Sequence, residues 1–183
     1  GIGNDFASYW GLEKDDYKQA VDWIINRRLR KIDVGRVSYN EGDLRKTRYF
    51  INAMYVGLGA RFVWISNGTR RFWGMQWLSY LSSMFLLLFE RMLHRIDMKI
   101  NGEHIQDTIM TVCIGSARGY GLTPSAVPYN GWLDVSVVYR PELLQLIKGL
   151  WLLVNGRLLN LKVVKPYRTH KVKINRVQNA AIS

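Results

Sequence analysis

Gly1-Ile2-Gly3-Asn4-Asp5-Phe6-Ala7 places a glycine-rich turn directly before an Asn-Asp pair at a helix start. Backbone N–H groups in such a turn can face a phosphate, which makes Gly1, Gly3, Asn4 and Asp5 candidate nucleotide contacts. Helix capping accounts for Asn4 and Asp5 equally well, because both residue types are favoured at caps whatever their role. A second chemically marked point is Asn130-Gly131, ahead of Trp132-Leu133-Asp134-Val135. Asn-Gly is the preferred pair for a tight turn. His94, His104 and His170 are scattered and show no metal-ligand spacing. Cys113, the sole cysteine, sits among Thr111, Val112 and Ile114 and reads as core, not as a nucleophile. A single cysteine excludes an internal disulfide framework and fits a reducing compartment. Asp15-Asp16 and Asp97 read as solvated helix and strand positions.

These points must be held by the elements around them. Glu13 to Arg28 reads as a helix with Tyr17, Val21, Ile24 and Ile25 on one side. Ile32-Asp33-Val34 begins an extended segment, and Asn40-Glu41-Gly42-Asp43 has turn chemistry. Arg48 to Val56 reads as one strand, and Asn67-Gly68 breaks the chain before a long helix from about Arg71 to Leu93. Ile96, Met98 and Ile100 alternate with polar residues, Asn101-Gly102 supplies a type I′ turn, and Ile105 to Ile114 returns as the second arm of a hairpin. Gly115 to Tyr129 is loop, and Gly131 to Tyr139 is a strand. Pro141-Glu142 opens a helix through Leu143, Ile147, Leu150 and Val154, closed by Asn155-Gly156. Leu159 to Val164 and Lys171 to Val177 are expected as a last pair of strands about Pro166. The expected fold is mainly β with helices (α+β), an antiparallel sheet protein and not a doubly wound one.

Composition narrows the partners. The 183 residues are 48% apolar and 13% aromatic, a globular composition that suits a single domain over residues 1–183. A net charge of +12, from 26 Lys+Arg against 14 Asp+Glu, favours an anionic partner. Arg27-Arg28-Leu29-Arg30-Lys31 is the one basic cluster, and cations there also stabilise the end of the preceding helix. Nucleic acid is not expected, because no compact basic patch is interleaved with aromatics. Phe72 to Phe89 carries no charge over 18 residues, the lower limit for a membrane span. Gln76, Ser79, Ser83 and Glu90 nevertheless mark a polar stripe opposite Trp73, Trp77, Leu81, Met84 and Leu88, the pattern of a mostly buried helix. Trp73, Trp77, Phe85 and Leu88 either line a lipid-tail cavity or are plain core. No secretory leader pattern is visible, and a cytoplasmic protein lying peripherally on an anionic membrane surface is expected.

The opening string resembles the Gly-Thr-Gly-Asn-Asp-Phe-Ala signature of diacylglycerol kinase-like lipid kinases, the group that includes bacterial lipid kinases and sphingosine kinases. Arg48-Tyr49-Phe50-Ile51-Asn52-Ala53-Met54-Tyr55-Val56-Gly57 is similar to the family's Phe-Ile-Asn segment, which leads to a Gly-Phe-Asp-Ala turn. Gly119-Tyr120-Gly121, Pro124, Ala126 and Asn130-Gly131-Trp132-Leu133-Asp134-Val135 resemble its Gly-rich loop, Pro-x-Ala and Asp-Gly-x-Leu-Asp-Val. Lys171-Val172-Lys173-Ile174 matches a late strand. The resemblance implies a two-domain enzyme that transfers the γ-phosphate of ATP, with Mg²⁺, to the hydroxyl of diacylglycerol or a related lipid alcohol. It implies that this chain is most of the second, β-sandwich domain, which contributes lipid-facing surface. The Gly-Gly-Asp-Gly motif of the first, ATP-binding domain is not in it. Homodimer formation stays open.

Departures from the pattern bear on the chemistry. Ile2 stands where the family usually has threonine, and Gly59 where the Gly-Phe-Asp-Ala turn has aspartate. Asn130 falls at the Asp-Gly position to which the resemblance assigns acid/base catalysis. A neutral amide cannot take that proton, and losing a general base costs typically about 10²–10⁴-fold. Asp134 is a poor substitute, four residues and about 13 Å along an extended chain. Two readings follow: a lipid kinase whose chemistry is altered, or a non-catalytic lipid-binding or regulatory protein that kept the fold and lost the carboxylate.

Overall fold

The computed structural model describes residues 5–12, 16–26, 29–58, 93–118, 122–154 and 157–178. Helices α1 (Asp5–Tyr9) and α2 (Tyr17–Ile25) come first, then an extended run into the hairpin of β1 (Gly35–Glu41) and β2 (Leu44–Phe50). The remaining strands are β3 (Ala53–Gly57), β4 (His94–Ile100), β5 (Glu103–Gly115), β6 (Leu133–Tyr139), β7 (Val164–Thr169) and β8 (Val172–Val177). Helix α3 (Leu143–Val154) and a 3₁₀ turn at Leu158–Asn160 join β6 to β7. This is the mainly β, antiparallel architecture expected from the sequence.

The 13-residue β5 is the spine of a six-stranded sheet. Along one edge it pairs first with β4 and then, over Thr111–Gly115, with β3; along the other edge it pairs with β6. β7 closes the sheet beyond β6, and β8 beyond β4, with every pairing antiparallel. The β4–β5 connection is the expected tight turn, with Asn101 at φ 51° and Gly102 at φ 84°. Alternation in β4 puts His94, Ile96, Met98 and Ile100 inward. Ile96, Met98 and Ile100 meet Val56, Ile109, Val112, Val135 and Val137 in one apolar cluster, against which Val37 and Phe50 of the hairpin also pack. A smaller cluster of Val138, Leu152, Leu161 and Val164 seats α3 and the 3₁₀ turn on the sheet.

Three boundaries differ from the sequence reading. Arg48 to Val56 is two strands, because the chain bends at Ile51-Asn52 to pass from the hairpin into the main sheet. The Asn52 carbonyl there accepts from the N–H groups of Ser116 and Ala117. Leu159 to Val164 is a 3₁₀ turn and a bend, with β7 starting only at Val164. Pro166 lies inside β7, which tolerates it because β7 is an edge strand with one neighbour. The first amphipathic helix is shorter than read, and its apolar side is not covered: Tyr17, Ile24 and Ile25 are 70–75% exposed. The expected helix from about Arg71 to Leu93, with Trp73, Trp77, Phe85 and Leu88, lies outside the described residues apart from its last position. Among the described residues, no helix is long and apolar enough to cross a membrane.

Candidate functional site

The Asn130-Gly131 turn enters β6 and is held from two sides. Asn130 folds its own side chain into the turn, Oδ1 accepting from the Trp132 N–H at 2.9 Å. Gly131, at φ +75°, occupies a conformation that side chains rarely adopt. Its N–H donates to Oδ2 of Asp33 at 2.7 Å, and its carbonyl accepts from Nδ1 of His170 at 2.7 Å. A ring nitrogen facing a carbonyl must carry the proton, so Nε2 of a neutral His170 holds the free lone pair. The chain geometry explains both clamps. Leu133 pairs with Thr169 at the β6–β7 end, so Trp132 and His170 follow as the next cross-strand pair. Their rings stack with centroids 3.6 Å apart. Asp33 arrives on the extended run before β1, where its own N–H donates to the Pro128 carbonyl at 2.7 Å.

The N-terminal helix reaches the same turn through aromatic residues. Tyr9 of α1 donates its hydroxyl to that of Tyr129 at 3.2 Å, which holds the Tyr9 phenol above its ordinary range. Trp10 lies 5.9 Å from the Tyr129 ring, and the Arg30 and Arg118 guanidinium groups sit over Trp10 and Tyr9 at 5.2 and 5.7 Å. The end of α1 and the residue before Asn130-Gly131 are therefore neighbours, separated in sequence by more than a hundred residues. Asp5 opens α1, while Gly1, Gly3 and Asn4 lie outside the described residues, as does Gly59.

Asp134 points elsewhere. Its nearly buried carboxylate forms a two-pronged ion pair with Arg168, Nε to Oδ1 at 2.8 Å and a second contact at 3.4 Å. A pocket of about 280 Å³ opens there, lined by this pair together with Thr123, Ser125, Leu159, Pro166 and Tyr167. Cys113 is fully buried and burial pushes its thiol up to about 12, so it is core as read. Asp97 is more than a solvated position. Its carboxylate accepts from Asn175, His104 and Gln106 at 2.6–2.9 Å, and these donors bring it down to about 2. Among the described residues no three His, Cys, Asp or Glu side chains are placed to hold a metal ion, so these residues alone do not make a Mg²⁺ site. Sequence reasoning passed over Asp33, Tyr129 and His170 as site residues. The only signal for Asp33 was a carboxylate between two apolar residues at the start of an extended run.

With this architecture in place, the chain is assigned to a family. Residues 52–182 match the YegS C-terminal NAD kinase beta sandwich-like domain, and the chain belongs to that family. A diacylglycerol kinase of Bacillus subtilis (strain 168) is 24% identical over 179 residues, 96% of this chain and 56% of the relative. A solved diacylglycerol kinase structure from Bacillus anthracis str. Sterne superposes with a TM-score of 0.58 at 14% identity, over 97% of this chain and 57% of that one. Two further solved chains from the same organism superpose at TM-scores of 0.64 and 0.61, with 15% and 13% identity. They cover 99% and 97% of this chain and 59% and 58% of theirs. The resemblance to the C-terminal domain of diacylglycerol kinase-like lipid kinases is thereby borne out, and the chain spans little more than half the length of these relatives.

Proposed function

We propose that this chain is the substrate-side part of an ATP-dependent lipid kinase that phosphorylates the hydroxyl of diacylglycerol or a related lipid alcohol. The observation that carries the reading is the 24% identity to a diacylglycerol kinase across 96% of this chain, on the matching fold. Phosphoryl transfer asks a protein to position phosphates, neutralise their charge and accept one proton. The convergence of α1, Arg30, Arg118, the Asn130 turn and the Asp33 carboxylate bound to it brings cations and a carboxylate to one place. ATP contacts at Gly1, Gly3, Asn4 and Asp5, and Mg²⁺ held jointly with residues outside those described, belong to the same proposal. So does peripheral binding to an anionic membrane on the cytoplasmic side, which the +12 charge supports.

One observation favours the non-catalytic reading. Asn130 is occupied in capping its own turn, a structural task that an amide performs without any chemistry. Transfer of labelled phosphate from ATP·Mg²⁺ to a panel of lipid alcohols in mixed micelles, by the full-length gene product, separates the two. Labelled lipid supports the kinase. Lipid binding without transfer supports the binding protein.

A further inference from the structure

We propose that the outer face of the main sheet, with α3 packed on it, is the surface that rests on an anionic lipid bilayer. The inference deepens the peripheral-membrane part of the reading above and rests on it. Ile96, Met98 and Ile100 of β4 point into the core, so Arg95, Asp97 and Lys99 point to the opposite face. Antiparallel pairing brings two more cations there from β8, Lys173 opposite Lys99 and Arg176 opposite Asp97. All four cations are exposed, and none forms an ion pair with a carboxylate among the described residues. Like charges directly opposite each other destabilise a sheet, so the Lys99–Lys173 pair is a cost to folding. Protection of a sheet edge accounts for Lys173 on β8. It does not account for Lys99, because β4 lies between β5 and β8. Arg95 and Arg176 also line a pocket of about 320 Å³ together with Thr108 and Gln178. Its two carboxylates are engaged elsewhere: Asp97 accepts from Asn175, His104 and Gln106, and Asp107 from the Thr108 N–H at 2.6 Å. Both guanidinium groups are left for a phosphodiester from outside.

The same side of the sheet carries apolar surface. Val137 points into the core and Val138 away from it, and Val138 meets Leu152 of α3, so the helix lies on the outer face. Leu144, Ile147 and Trp151 stand at i, i+3 and i+7 of that helix and are 77%, 56% and 63% exposed. Exposed Arg140, Lys148 and Arg157 flank the stripe, against one acid, Glu142. Large apolar side chains that include tryptophan, bordered by cations, suit the boundary between lipid headgroups and acyl chains. A soluble anion would account for the cations and leave the stripe in water. A second copy of this chain would cover the stripe but set a +12 charge against an equal one. An anionic bilayer satisfies both features at once.

The test is cosedimentation of the full-length protein with phosphatidylcholine vesicles, with and without phosphatidylglycerol. Two variants separate the components, R95Q/K99Q/K173Q/R176Q and L144S/I147S/W151S. Wild type should prefer the anionic vesicles and come off as salt rises. The charge variant should partition about 10²–10³-fold more weakly and lose most of its salt dependence. The stripe variant should partition about tenfold more weakly and keep its salt dependence. Neither should lower the urea unfolding midpoint, because the replaced side chains are exposed and the Lys99–Lys173 repulsion is relieved. Unchanged partitioning of both variants beside a binding wild type overturns the assignment of this face and leaves peripheral binding standing. A wild type that partitions onto neither vesicle removes the peripheral reading and this inference with it. A lowered midpoint in the stripe variant shows that the stripe is covered within the protein, and a dimeric wild type that this variant makes monomeric assigns it to a second copy. Each of those two results overturns the inference. Loss of oligonucleotide binding in the charge variant, with vesicle binding intact, overturns it in favour of nucleic acid.

Discussion

The described residues before β3 and those from β3 onward are stabilised by different physics. The strands from β3 to β8 form a sheet whose inward side chains are removed from water: Met98, Ile100, Ile109, Val112 and Val137 have no exposed surface. From Asp5 to Phe50, Gly35 is the one buried residue among those described, and Leu29 is 88% exposed. That region is positioned instead by a few directional contacts. They include Tyr9 to Tyr129, Asp33 to Gly131 and Pro128, and Val37 with Phe50 against the sheet. Apolar burial gives stability that scales with area, about 25 cal/mol per Å², whereas a net hydrogen bond gives about 1 kcal/mol. The candidate site lies on the seam, where a rigid strand end meets a weakly anchored segment. That is a reasonable place for groups that must be aligned yet admit a substrate.

Substitutions can sharpen or break this contrast. The largest loss is expected for Met98→Ala, which empties a site with no exposure and should cost about 2–5 kcal/mol in urea unfolding. Gly57→Ala comes next. At φ +90° an added Cβ would lie 2.8 Å from the Met110 carbonyl oxygen and 2.9 Å from the His94 ring, so a cost of about 1–3 kcal/mol is expected. Tyr129→Ala should lower global stability by only about 1 kcal/mol, while amide exchange speeds up in residues 5–34 and not in β5. Ile24→Ser, on the uncovered side of α2, should shift the unfolding midpoint by less than about 0.5 kcal/mol. A cost above ~1.5 kcal/mol there would show that this face is covered and would erase the contrast. The smallest effect concerns Asp97. Its folded value lies below the ordinary 3.8, so its stabilisation is present above that pH and fades as pH falls toward about 2. The melting-temperature gap between wild type and D97N should therefore close over that window.

The sheet was largely legible in advance, and the site only in pieces. Alternation in Ile96-Asp97-Met98-Lys99-Ile100 and the Asn101-Gly102 pair announced the β4–β5 hairpin, because a period of two and a left-handed turn are local properties. The Arg48 to Val56 run misled, since β-favouring residues continue across the bend at Asn52 and only the Ser116 and Ala117 contacts mark it. Pro166 misled in the opposite direction: proline argues against a strand unless the strand is at an edge, and edge position is a matter of sheet order. Tyr17, Val21, Ile24 and Ile25 predicted a packed face at helical spacing. Spacing defines a face, but whether anything covers it depends on what folds nearby.

By itself the sequence determined the periodicities, the turns, the antiparallel sheet character, the amide at position 130 and the resemblance that the family match bears out. Each of these is written in residue types at short range. Only the tertiary structure decided that Asp33 and His170 grip the two sides of one peptide, that Tyr9 meets Tyr129, and that Asp134 is spent on Arg168. Those partners are 34 to 120 residues apart, and no local pattern encodes which distant polar groups will be brought within hydrogen-bond distance of each other.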